Sequence, residues 1–141
     1  MKTDRNVVAD AKCLAERSFS STFEQLPENF ALLSEHAPAA FAGYGLIRNS
    51  IMGEREDGTG LDFKTKELIF TLLDTLIGQT EGAKSHAAAA MRQGLSIPEL
   101  VEGLTQVIMV GGITTWNKTG ADVLRHALEF AMPGAKKARD E

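Results

Sequence analysis

At 141 residues the chain has the length of a single domain. Its formal net charge of -4 gives no general attraction to phosphate backbones, so nucleic acid is not expected as a partner. No apolar run approaches the roughly 20 residues that span a bilayer, and a membrane partner is not expected either. The opening MKTDRNVVADAKCLAERSF carries acids and bases throughout rather than the apolar centre of a secretory signal, and a cytoplasmic location is the expectation. One cysteine, Cys13, excludes a disulfide framework and a dithiol cycle within one chain.

Helical periodicity dominates, and alternating strand patterns are nearly absent, so an all-α fold of about six helices is expected. Residues 4–18 place Val7, Val8, Ala11, Leu14, Ala15 and Phe19 near one helical stripe. A short helix over 28–35 follows Pro27. Pro38 suits the first turn of the next helix, where its missing N–H has no partner to lose; that helix runs to about Met52 and turns Phe41, Tyr44, Leu46, Ile47 and Ile51 inward. The glycines and charges of GEREDGTGL, residues 53–61, read as a surface loop.

Asp62 is a plausible N-cap for a helix over 63–77, with Leu68, Ile69, Leu72, Leu73 and Leu76 as its apolar stripe and Gly78 as its left-handed stop. A helix from about 81 to 93 contains the alanine run 87–90, which favours helix and lets a neighbour approach closely, and ends at Gly94. Ser96 and Glu99 have capping-box spacing and open a helix over 97–110 with Leu100, Leu104, Val107 and Ile108 inward. After Gly111-Gly112 a last helix over 113–132 turns Val123, Leu124, Ala127, Leu128 and Ala131 inward and stops at Pro133-Gly134, before a charged tail. This divides the chain into an N-terminal helical extension, 1–36, a main helical domain, 37–132, and the tail, 133–141. Several helices are apolar on more than one side, more surface than so few neighbours can cover. A homo-oligomer is therefore expected.

No phosphate-binding glycine loop or nucleophile elbow is present. The histidines His36, His86 and His126 are scattered without local ligand spacing, so no metal or other cofactor is expected. Residues 61–94 carry the distinctive pattern: Leu61-Asp62, then Lys64-Thr65-Lys66-Glu67-Leu68-Ile69, the Gly78 turn, His86, the alanine run and Gly94. With Ser96, Glu99 and Leu100, the Gly111-Gly112 region and the upstream APAAFAGYGLIRNSIM, this resembles the carboxymuconolactone decarboxylase family, which includes the alkyl hydroperoxide reductase D-type proteins, over roughly residues 37–130.

The resemblance implies an oligomeric helical fold (dimer, trimer or hexamer) and two kinds of chemistry. The redox branch has a CxxC ending four residues before the histidine and a glutamate on the preceding helix. Here the thiol positions are Gln79 and Gly82, which removes the disulfide cycle, while the glutamate and histidine positions are Glu67 and His86. The decarboxylase branch keeps the histidine and has a glutamate where Gly82 stands; Glu81 is the candidate substitute. The implied function is a lyase of aromatic-compound catabolism acting on a small carboxylated lactone or related anion. His86, Glu67 and Glu81 are the candidate catalytic residues, and Gln79, Trp116 and Lys84 the candidate substrate-binding ones. The alternatives are a non-catalytic oligomeric binder of small molecules and, against the missing thiols, an antioxidant.

Each residue also has a plainer reading: His86 as a half-buried helix residue, Glu67 as an exposed charge, Trp116 as core packing. Spacing alone does not pair Glu67 with His86. Counted from a turn at 78–82, they are offset by roughly 10 Å along a plain hairpin. The pairing requires a steep helix crossing or a partner from another subunit.

Overall fold

Capping residues and glycines set the helix ends. The computed structural model describes residues 4–21, 23 and 25–132; the Pro133-Gly134 stop and the tail 133–141 lie outside the described residues. It is all-α, with no strand among the described residues: α1 Arg5–Ser20, α2 Glu28–His36, α3 Pro38–Ile51, α4 Phe63–Ile77, α5 Thr80–Arg92, α6 Ile97–Gly111, one turn α7 Ile113–Thr115, a π-helical turn Trp116–Gly120, and α8 Ala121–Ala131. The Asp62 side chain accepts from the Thr65 N–H, and Ser96 and Glu99 close a reciprocal capping box. Gly78, at φ 80°, ends α4, its N–H and that of Gln79 returning to the Asp74 carbonyl. The expected loop at 53–61 contains a 3-10 turn, Arg55–Asp57, closed by a Glu54–Asp57 capping box.

The structure divides into two units at Gly60/Leu61. In the first, Ala15, Phe19 and Phe41 form the buried core. Phe19 packs near parallel to Phe41 at 5.9 Å between centroids, and Phe30 lies 4.5 Å from it. The Arg48 guanidinium stands 4.5 Å over the Phe19 ring and donates to the Ser18 hydroxyl at 2.6 Å, so this cation is buried with acceptors on it. The inward face of α3 is Phe41, Ala42, Gly45 and Arg48, whereas the expected Tyr44, Leu46, Ile47 and Ile51 are exposed. The cause is close packing. Gly45 lies against Ala15, so that a Cβ there would fall 2.0 Å from the Ala15 Cβ, and a larger side chain cannot occupy that face. On α1 likewise the buried residues are Ala11, Ala15, Ser18 and Phe19, with Val7 and Leu14 exposed.

In the second unit the core is Ala83, Ala87, Ala90, Leu95, Leu100, Leu104, Val123 and Ala127, with Leu68, Leu72, Trp116 and Leu124 packed on it. On α8 Leu128 and Ala131 face outward, against expectation. The larger departure is α4. Its fully inward face is polar: Lys66, Glu67, Thr71 and Thr75 are buried, while Ile69, Leu73, Leu76 and Ile77 are exposed. Glu67, Thr71 and Thr75 follow at intervals of four, and the hydroxyls are satisfied within the helix, Thr71 Oγ1 donating to the Glu67 carbonyl and Thr75 Oγ1 to the Thr71 carbonyl. The inward face of α4 thus carries short side chains that bond back to their own helix, and that of α5 carries alanines.

Candidate functional site

The site is built on the α4–α5 hairpin. Its connection is shorter than the sequence count assumed: α5 begins at Thr80, and Glu81 and Gly82 are already helical. Asp74 of α4 meets Gly82 of α5, where a Cβ on Gly82 would lie 2.3 Å from Asp74 Oδ2. That contact fixes the register. Four residues back along α4 and four forward along α5 stand Phe70 and His86, whose rings lie 5.0 Å apart. Glu67 is three residues earlier, an offset of about 4.5 Å rather than 10 Å, which a glutamate side chain covers. His86 Nδ1 and Glu67 Oε2 are 2.5 Å apart within one chain.

Burial differs sharply between the two. The Glu67 side chain is 0% exposed and the His86 side chain 24%. A carboxylate only accepts, so Nδ1–H donates to it. Nε2 makes no hydrogen bond among the described residues and is the nitrogen free to exchange a proton. Glu67 Oε1 is buried with no hydrogen-bond partner, an orphaned acceptor beside the only catalytic-type pair in the unit's described residues. An inward glutamate that fixes the tautomer and direction of a partly exposed imidazole is the arrangement general acid–base chemistry requires.

The other candidates are placed elsewhere. The Glu81 side chain is 88% exposed and pairs with Lys84 at 3.0 Å, so neither reaches His86. Gln79 is exposed at the N-cap of α5, without a side-chain cap bond. Trp116 is half-buried against the core. It opens the π-helical turn, which places Thr119 Oγ1 3.0 Å from Thr80 Oγ1 and the Lys118 side chain over Gly78. No group of three or more potential metal ligands occurs among the described residues. A groove of about 320 Å³ runs along α4 and α6, lined by Lys64, Thr65, Leu68, Leu72, Glu99 and Glu102 among others; His86 and Glu67 do not line it.

Sequence reading missed Phe70 and Asp74. Burial raises the Asp74 carboxyl above its ordinary value, and the His86 charge partly offsets this. Glu67, Phe70 and Asp74 recur at the three-to-four spacing of one helix face, a signal visible only if charged and aromatic residues are tracked with the apolar ones.

The helical fold is shared with known proteins. The model of the carboxymuconolactone decarboxylase family matches residues 38–131. A crystal structure from Burkholderia xenovorans LB400, of a protein provisionally assigned as a carboxymuconolactone decarboxylase, is 35% identical with a TM-score of 0.81, covering 92% of this chain and 98% of that one. No curated protein matches the chain.

Proposed function

We propose that this chain, which belongs to the carboxymuconolactone decarboxylase family, is a lyase that decarboxylates a small carboxylated lactone or a related anion by His86/Glu67 acid–base chemistry. The observation that carries the reading is the 2.5 Å contact between a fully buried Glu67 and a partly exposed His86. Loss of CO2 breaks a carbon–carbon bond and leaves its electron pair on the unsaturated lactone as an enolate. A proton from His86 Nε2–H to carbon completes the reaction, and solvent returns a proton to Nε2. Glu67 holds the ring in the required tautomer and stabilises the imidazolium form in which it donates. The thiol positions hold Gln79 and Gly82, so this reading needs no sulfur chemistry.

The test is CO2 release from carboxymuconolactone, with circular dichroism on each variant to establish that it folds. Wild type turns the compound over, and His86→Gln abolishes turnover with the helix content unchanged. Turnover that survives His86→Gln refutes the reading. Binding without turnover favours the second reading, a non-catalytic small-molecule binder, which the groove along α4 and α6 supports. We further propose that the chain works as a homo-oligomer. Ile69, Leu73 and Ile77 on α4, Met109 and Val110 at the end of α6 and Ile113 at the start of α7 are exposed apolar side chains in number, Met109 and Val110 each 81% exposed.

A further inference from the structure

Gly82 and His86 are four residues apart on α5, and so occupy the same face one turn from each other, with about 5–6 Å between Cβ positions. Gly82 contributes no side chain to that face. The place where its Cβ would stand is taken by Asp74 from α4, with Oδ2 2.3 Å and Cγ 3.2 Å from it. A carboxylate therefore lies one helical turn from His86 on the His86 face of α5, although its own backbone belongs to the other helix. Asp74 is half-buried, and no hydrogen bond or ion pair holds its carboxylate among the described residues. The remaining charged groups near the hairpin are engaged or turned elsewhere. Glu81 and Lys84 on α5 pair with each other, Glu99 on α6 pairs with Lys64, and Lys118 from the π-helical turn lies over Gly78.

We infer that Asp74 is a second catalytic carboxylate of this site, facing the same ligand as His86 Nε2, and that residue 82 is glycine because the carboxylate needs its space. The inference rests on the lyase reading above and adds a division of labour. Glu67, fully buried on Nδ1, orients the imidazole. Asp74, half-buried and unpaired, stands where its acid form donates a hydrogen bond to the lactone carbonyl oxygen, on which the electron pair released by CO2 departure accumulates. Asp74 keeps its proton through that step, and His86 supplies the proton that ends on carbon, so the step balances with two groups in two roles. Burial favours the acid form that this role needs.

Two experiments test the assignment, one of them independent of turnover. In the first, carbon-13 NMR follows the Asp74 carboxyl through a pH titration of wild type and of His86→Gln. The midpoint should lie above the ordinary aspartate range in wild type and rise further in His86→Gln, where the neighbouring charge that favours ionisation is gone. An ordinary midpoint, indifferent to residue 86, overturns the inference. In the second, Asp74→Asn should lower carboxymuconolactone turnover by roughly 10²-fold or more with helix content intact. The double variant Asp74→Ala/Gly82→Glu, which supplies the carboxylate from α5 instead, should recover part of that loss. Asp74→Asn turnover within about twofold of wild type overturns the inference while leaving the lyase reading in place. If wild type turns over no carboxymuconolactone, the lyase reading fails and the Asp74 assignment falls with it as a catalytic role, whatever coupling to His86 the titration shows.

Discussion

Replacing Glu67 by methionine separates catalysis from stability. Glu67 is fully buried, one carboxylate oxygen serves His86 Nδ1, and the other has no partner. An unsatisfied buried acceptor costs about 1–3 kcal/mol, whereas the hydrogen bond from the other oxygen to His86 contributes about 1.5–3 kcal/mol in the opposite direction. Methionine matches the length of glutamate and adapts to irregular space. It removes the orphaned oxygen and leaves on His86 an N–H of a ring that is still partly solvated. The two contributions are of similar size, so Glu67→Met should change stability by no more than about 1 kcal/mol in either direction. At this chain length each kcal/mol moves Tm by roughly 3–5 °C, so Tm should stay within about 5 °C of wild type. The same change removes the group that orients the imidazole, and carboxymuconolactone turnover should fall by about 10²-fold or more. Thermal melts, urea titrations and CO2 release measure the three quantities. A variant destabilised by more than about 1 kcal/mol would show that Glu67 is a structural group, and one that keeps its turnover would show that it does not serve the histidine.

Further outcomes follow from other parts of the structure. The Ser96 backbone and side-chain hydrogen bonds, with the Lys64 contact, hold the Glu99 carboxyl down at about 2 against an ordinary 4.5. Its contribution to stability is therefore complete above about pH 4.5 and is lost as the pH falls toward 2; urea titrations across that window should show Glu99→Gln flattening the acid limb. Gly45→Val drives side-chain atoms into Ala15, whose Cα would lie 2.6 Å from the new Cβ, and should cost about 1–3 kcal/mol or more; an unchanged Tm would contradict the close approach of α1 and α3. Light scattering at micromolar concentration should report at least a dimer, and a single species near 15.2 kDa would refute the proposed assembly.

Helix positions were legible because their ends are chemical. Pro38, Asp62, Gly78, Gly94 and Ser96 each carry a backbone preference or a cap that acts locally, and the bounds at these ends fall within a residue or two of the expected ones, whereas the single helix expected over 113–132 is interrupted by the π-helical turn Trp116–Gly120. The inward faces were less legible. The apolar stripes of α1, α3 and α4 are wider than the faces that are buried, and which part goes inside depends on how closely the neighbour comes. Gly45 against Ala15 selects a small-residue face on α3, and on α4 the buried face is Glu67, Thr71 and Thr75 rather than the larger aliphatic one. A rule that sends the largest side chains inward fails wherever helices pack on their smallest residues.

The site was legible as residue types and hidden as geometry. Glu67 and His86 stood out by resemblance, but their distance depends on a register that the Asp74–Gly82 contact sets and that no local pattern of either helix contains. The same contact explains why Glu81 was a reasonable choice and the wrong place to look. A search for the missing acid along α5 takes its nearest carboxylate in sequence, yet one residue of displacement rotates a helical side chain by about 100° and sends Glu81 into solvent beside Lys84. A glycine removes the side chain at 82 without rotating anything. The space stays on the His86 face, and a residue of the facing helix enters it. For an acid absent at residue 82, the place to search is therefore across the helix interface, where Asp74 stands, rather than along the chain.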